Sequence, residues 1–469
     1  MISANGRSGV WACGGGAGGS VFISCDTFTG QALGNLLVKG GDGEGTAYSG
    51  GGSGGRVAIL YTQASFADGF ALNGTPGSGF GNEAAGQFFC KAARGTVYLP
   101  DATILDETLD NNLFTQVDLH IPSLNYWAID RLSVKNCSVF LAQDGIKLDV
   151  AGDLTIGDKG HLGLGSFCGD GVVSLICGGN LYVTNSGALS VFAGLTNGVD
   201  SYGALVDVAG DMTVANTGWV YPYCHTNTGA AVKFNMENLW IRHAVSGVTA
   251  QGFNARGKGF GAVRGPGAGG SLVGGYNAGG GYGGKGGDAG IGGLIKGGLP
   301  YGYAHAPMQS GSGGGGARGG YGGGLIWIEA QRSVLCNGEL NASGATGSDW
   351  AAGGGSGGGI FISGQTFVGD GNALLAAYGA KPSNDWGAGG GGGGRIAVWH
   401  GRPMPEALSN ALLAGQLPNK SLFVVTPTLS SFGGAVAVAQ GDYYRGTPAE
   451  PGTAVFLKYE QAATVLQLR

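Results

Sequence analysis

VAGDLTIGDKGHLGLG, residues 150–165, is followed by ICGGNLYVTNSGALSVFAG (176–194), VAGDMTVANTGWVYP (208–222) and MENLWIRHAVSGVTAQG (236–252). Each stretch alternates apolar residues on either side of a turn, the mark of a pleated strand with a buried face. The turn glycines Gly160, Gly187, Gly218 and Gly247 are separated by 27 to 31 residues. A coil of that length, made of three short strands and turns, is what a parallel β-helix requires, each coil adding about 4.8 Å along the axis. VLCNGELNASG (334–344), with Gly338 in the same role, continues the series after a glycine-rich insertion.

Polar residues recur in phase with these coils. Asp153, Asn180, Asp211 and Asn238 each precede the apolar residue of one strand (Leu154, Leu181, Met212, Leu239), which predicts a structural turn ladder, stacked one above another. The alternative is a carboxylate pair or calcium site through Asp153 and Asp211; the asparagine between them argues against it.

The ends of the chain carry copies of one segment. Residues 11–61 match 350–400 at a constant offset of 339, pairing GGGAGGSVFIS with GGGSGGGIFIS and GGGSGGRVAILY with GGGGGGRIAVWH. GTVYL at 95–99 recurs as GTAVFL at 452–457, and ISANG at 2–6 corresponds to LNASG at 340–344. Within each group a glycine cluster feeds an alternating strand every 34 to 36 residues. The chain therefore divides into glycine-rich solenoid coils at 1–94, β-helix coils at 95–252, a glycine-rich segment with coils repeating 11–61 at 253–400, and a closing β segment at 401–469.

Composition agrees with an ordered chain. Glycine contributes 103 of 469 residues, roughly three times average usage, yet hydrophobic residues make up 43% and charged residues only 12%, the reverse of a disordered balance. The formal net charge is -5 and basic residues are scattered singly, so nucleic acid is not an expected partner. Membrane insertion is not expected either, because no apolar run reaches the length of a transmembrane span. Met1–Gly6 has no signal-peptide regions, which places any targeting signal upstream. The eight cysteines show no CxxC pair and no short Cys/His cluster, which argues against a zinc site; buried free thiols are expected, with one or two disulfides as the alternative.

Residues 253–318 are of low complexity, with an X-Gly-Gly pattern at their centre. A period of three suits packed polyproline II helices; a flexible linker is the alternative. The tyrosines at 276, 282, 301, 303 and 321 favour packing. Trp11, Trp350 and Trp386 lie in or beside glycine clusters, where they either contact carbohydrate or a partner or plug the glycine layers. The equivalence of Trp11 and Trp350 in the repeat favours the plug.

Motifs for chemistry are weak. Strings resembling GxGxxG are expected by chance at this glycine content, and strands, not helices, follow them. GGKGG around Lys285 lacks the Ser or Thr of a phosphate loop. GGSGG around Ser53 and Ser356 fits a nucleophile elbow formally, but other copies place Ala17 or Gly392 there. Asp101, Asp106, Glu107 and Asp110 read as a solvated loop, and the six histidines are far apart in sequence. No catalytic residue, cofactor or metal is expected.

With these strings in place, the chain resembles the glycine-rich repeat segments of very large bacterial secreted or cell-surface, adhesin-like proteins, in which GGGSGGGIFISG and GGGGGGRIAVWHG alternate with strands ending in ISANG or LNASG. The resemblance implies a parallel β-helix with surface or adhesive roles. The X-Gly-Gly tract also looks like the packed polyglycine helices of some phage tail-fibre adhesins and of a springtail antifreeze protein. The expectation is an all-β, right-handed parallel β-helix (β-solenoid) with packed glycine-rich excursions. It would act as an extracellular or cell-surface structural or adhesive module, a filament subunit associating end to end. A carbohydrate-binding or carbohydrate-cleaving β-helix that meets cell-surface or environmental glycans, and a phage-type receptor-binding tip, are the alternatives. No dedicated capping segment is read at either end.

Overall fold

The computed structural model describes residues 1–469 except 12, 45–48, 80–91, 197–200, 243–250, 273–274, 291, 349–350, 384–386, 417–422, 427, 442–446 and 460–469. The described chain is a parallel β-helix. Twelve-, ten- and eight-stranded sheets run along the solenoid, with four- and two-stranded sheets at its N-terminal end. From strand Val117–His120 onwards the chain visits the twelve-, ten- and eight-stranded sheets in turn.

Stacking puts like on like. On the eight-stranded sheet Leu132, Leu154, Leu181, Met212, Leu239 and Val334 are in register, each at most 1% exposed. Burying one such side chain contributes about 1.5–3 kcal/mol, so the core gains with every coil. Coil length is free to vary at the corners: 22 residues separate Leu132 from Leu154, 27 separate Leu154 from Leu181 and 31 separate Leu181 from Met212. Between Leu239 and Val334 the chain takes 95 residues, because it leaves the solenoid after strand Gly252–Asn254 and rejoins it at strand Leu325–Ala330.

Cysteines fill aliphatic rungs. Cys177 lies between Val150 and Val208, and Cys336 beside Ile241. Seven described cysteines are free; Cys137, Cys177, Cys224 and Cys336 are buried, whereas Cys13 is exposed and Cys25 and Cys168 are partly exposed. The expectation of buried thiols thus fails at Cys13 and holds only in part at Cys25 and Cys168. Cys90 lies outside the described residues.

The two copies of the repeat occupy different faces. Strands Ser20–Ser24 and Arg56–Leu60 belong to the twelve-stranded sheet, whereas their equivalents Gly359–Ser363 and Arg395–His400 belong to the ten-stranded sheet. The exchange happens in one coil. The four-stranded sheet ends at Phe114–Thr115, Gln116 takes a left-handed backbone (φ 52°), and Val117–His120 enters the twelve-stranded sheet at once. The ten-stranded sheet then begins at Tyr126–Ile129.

The ends also differ. Among the described residues, Ser20–Ser24 is the edge strand of the twelve-stranded sheet. At the opposite end strand Thr453–Tyr459 pairs antiparallel with Phe423–Thr426, which closes the ten-stranded sheet against further parallel addition. Helix Glu406–Leu413 packs Leu408 and Leu412 on Trp327, Phe361, Ala397, Trp399 and Leu457 of that sheet. The sequence leads one to expect a closing β segment at 401–469 without a dedicated cap; the helix and the antiparallel strand there are additions to that expectation.

Candidate functional site

Two polar ladders climb the corners. In the first, Asp153 Oδ1 accepts the backbone N–H of Asn180 at 2.7 Å, Asn180 Oδ1 accepts that of Asp211 at 2.9 Å, and Asn238 Nδ2 donates to Asp211 Oδ1 at 2.7 Å. Asn238 Oδ1 accepts from the backbone of Ser333 at 3.1 Å, carrying the ladder across the 95-residue gap. The Oδ1 atom of each of the four residues thus accepts from the next coil, an arrangement that a bound cation would disrupt. Among the described residues no His, Cys, Asp and Glu group forms a metal site.

A second ladder, not read from the sequence, lies at the next turn. Asn136 Nδ2 donates to Asp110 Oδ1 (3.2 Å), Asn185 Nδ2 to Asp158 Oδ1 (3.1 Å) and Asn216 Nδ2 to Asn185 Oδ1 (3.2 Å). Asp158 with Lys159, Asn185 with Ser186 and Asn216 with Thr217 all have positive φ, as the two central residues of a type I′ turn require. The strings DKG, NSG and NTG before Gly160, Gly187 and Gly218 carried that signal.

The glycine tract is packed. Gly279 N donates to Gly287 O, Gly287 N to Gly390 O, Gly280 N to Gly354 O, Gly392 N to Gly280 O and Gly283 N to Gly393 O. The last four of these bonds join the 255–324 insertion to the glycine layers of the following coils. A Cβ on Gly279 would lie 1.8 Å from Gly390 O and one on Gly389 2.0 Å from Gly287 O, so only glycine permits the approach. Asp288, 3% exposed, pins the insertion by accepting from Lys285 Nζ (2.7 Å), Lys296 Nζ (3.2 Å) and Gly297 N (2.8 Å). These partners hold its carboxyl down to about 2, against the opposing effect of burial. Lys285 is thus a structural cation, and Ser356, fully buried, bonds Ser312 N at 2.9 Å as a spacer in the bundle.

The outer face of the twelve-stranded sheet carries a stripe of rings and cations. Arg94 lies 3.4 Å over the Phe140 ring and donates to Asp118 from Nε and Nη, each at 2.8 Å. Phe140 meets His161 edge to face at 4.7 Å, and Gly163 is bare because a Cβ there would lie 1.9 Å from the Phe140 ring. His161 Nε2 lies 2.9 Å from Ser190 Oγ. Burial first, and the Arg94 charge second, lower the imidazole to about 3. A His–Ser pair has the form of base and nucleophile, yet the Ser190 residue is 2% exposed and shut away from substrate. Further along, Lys258 stands 5.2 Å over Tyr221 and 5.0 Å over Tyr223, whose ring stacks on Phe192 at 4.4 Å. Phe167, Tyr223, Cys224, Thr226, Gly257, Lys258 and Tyr321 enclose a cleft there, about 200 Å³ in volume.

Other sequence candidates are dispersed. Trp11 is 93% exposed with φ 57°, so it does not plug a glycine layer; Trp350 and Trp386 lie outside the described residues. Asp101 accepts from Tyr61 Oη at 2.8 Å, Glu107 pairs with Arg131 at 3.7 Å, and Asp110 belongs to the second ladder. The acidic loop is therefore divided among separate structural contacts. No family model, curated protein or solved structure matches the chain.

Proposed function

We propose that this chain is a structural or adhesive module that works outside the cell or on its surface as a stiff rod. The observation that carries the reading is the pair of axial ladders together with the cross-linked glycine bundle. They engage polar side chains and backbone amides along the axis rather than directing them at a cleft. Twelve strands at about 4.8 Å each give a rod of roughly 50 Å. Burial pushes Cys137, Cys224 and Cys336 up to about 12, which keeps these three in the unreactive thiol form.

End-to-end association is the assembly that suits such a rod. Among the described residues, Ser20–Ser24 and Thr27–Gly30 lie at the edges of their sheets, and a sheet edge presents backbone groups with which another chain can pair. Ala435–Ala437 offers one at the other end of the twelve-stranded sheet, while the antiparallel Phe423–Thr426 strand limits contact to part of that end. Electron microscopy of the purified chain at near-native ionic strength tests this. Fibres with a subunit-length repeat support the filament; uniformly dispersed single rods remove it.

A further inference from the structure

We propose that the outer face of the first repeat copy, where Phe22, Ala58, Leu60 and Tyr98 form a groove on the twelve-stranded sheet, docks one amphipathic α-helix of a partner protein. The helix lays leucines spaced i and i+4 into the groove and carries an acidic flank. This goes beyond the scaffold reading and does not depend on it. Phe22 is in register with Ala58, Ala58 with Tyr98, and Ser24 with Leu60. Phe22 is 68% exposed, and Leu60 and Tyr98 are each 37% exposed. The row from Phe22 to Tyr98 crosses three strands, about 10 Å, which is the width of one helix. The small Ala58 is its floor and the two rings are its walls. A contiguous apolar surface of this kind marks a docking site.

The second copy of the repeat shows what fits there. Phe361, Ala397 and Val455 form the same row, with Trp399 where the first copy has Leu60. Helix Glu406–Leu413 lies over that row, with Leu408 and Leu412 in the apolar cluster, and Phe361 and Ala397 are fully buried beneath it. Leucines four apart share one face of a helix, the usual form of an anchor in an apolar groove. Ser409 Oγ donates to Glu329 Oε1 at 3.0 Å, which commits this helix to its own sheet and leaves the first face to a helix from another protein. Charge sets the flank. Residues 404–416 contain Glu406 and no Lys or Arg, and Arg56 is exposed on the side of its strand that carries Ala58. A helix of that composition meets Arg56 with opposite charge.

The test is fluorescence anisotropy of a helix-stapled peptide of residues 404–416, titrated with the full chain, with sedimentation of the chain alone beside it. The peptide is expected to bind, and Phe22→Asp in the chain to weaken binding by about tenfold or more. Leu408→Asp in the peptide is expected to abolish binding, and a photo-crosslinker on the peptide to label residues 56–60 and 95–98. Should Phe22→Asp not fold, the two peptides and the cross-links on the parent chain decide. No binding at millimolar concentration, equal binding of the Leu408→Asp peptide, or unchanged affinity in Phe22→Asp would each overturn the proposal. So would cross-links at 395–400, which would mean displacement of the resident helix, or a dimer of the chain that Phe22→Asp dissolves, which would give the face to a second copy.

Discussion

Phe22 and Phe361 are the same residue of the same repeat, and one is 68% exposed while the other is fully buried. Their strands are alike, each pairing in parallel with an equivalent neighbour: Phe22 beside Ala58, Phe361 beside Ala397. The difference comes from what lies outside the repeat. Helix Glu406–Leu413 covers the second copy, and no described element takes that place on the first. The glycine layers repeat the lesson: a Cβ on Gly50 meets nothing within 4 Å, whereas one on its equivalent Gly389 meets Gly287 O of the insertion at 2.0 Å. A repeat fixes how strands stack; its surroundings decide which faces become interior.

The strongest attack on this comparison is the paired truncation. Phe361→Ala is expected to destabilise by about 3–5 kcal/mol and Phe22→Ala by less than about 0.5 kcal/mol, both read from denaturant midpoints. Equal costs would mean that the first copy is also covered. Next comes the glycine pair: Gly389→Ala is expected to cost about 3 kcal/mol through overpacking, while Gly50→Ala leaves stability unchanged or raises it by up to about 1 kcal/mol.

Acid should sharpen the same contrast. His161 is held neutral, its pKa lowered to about 3, so between that value and about 6.5 the unfolded chain binds the extra proton. Stability is therefore present above pH 6.5 and falls as pH drops through that window, by about 2 kcal/mol between pH 7 and pH 5. His225, His305 and His400 are lowered too, chiefly by burial, and residues 1–100 contain no histidine. Thermal melts across this range should fall, with a shallower slope in His161→Gln; a parallel slope would remove His161 from the account. The smallest effect is expected from Asn180→Ala, about 1–2 kcal/mol, because it removes the acceptor of Asp211 N. Chemical denaturation of that variant measures it.

How much could be read beforehand follows from where the information sits. The coil period was legible because Leu154, Leu181, Met212 and Leu239 recur with the same polar residue before them. Parallel stacking converts that recurrence directly into contact. Packing of the glycine tract was half legible: its triplet period and tyrosines point to order, but the partners of Gly280 and Gly287 are more than 70 residues away in Gly354 and Gly390. The second ladder was written in the same turns and overlooked, since Asn185 and Asn216 follow their strands rather than lead them.

The change of face between the two copies was not legible. It depends on the left-handed turn at Gln116, far from either copy, and identical strands fit either sheet. Exposure of Trp11 was misread for a related reason: equivalence to Trp350 carries no information about a neighbouring layer. The aromatic stripe escaped notice because Arg94, Phe140, His161 and Tyr221 are brought together by coils of unequal length.

Hydrogen exchange by mass spectrometry, resolved to the two sets of glycine layers, tests the central claim most directly. The account predicts slow exchange for amides of residues 278–287, 353–358 and 389–394, which lie inside the bundle, and much faster exchange for 5–11 and 13–19, which face solvent on one side. Comparable protection in both sets, or rapid exchange throughout 278–287, would contradict it.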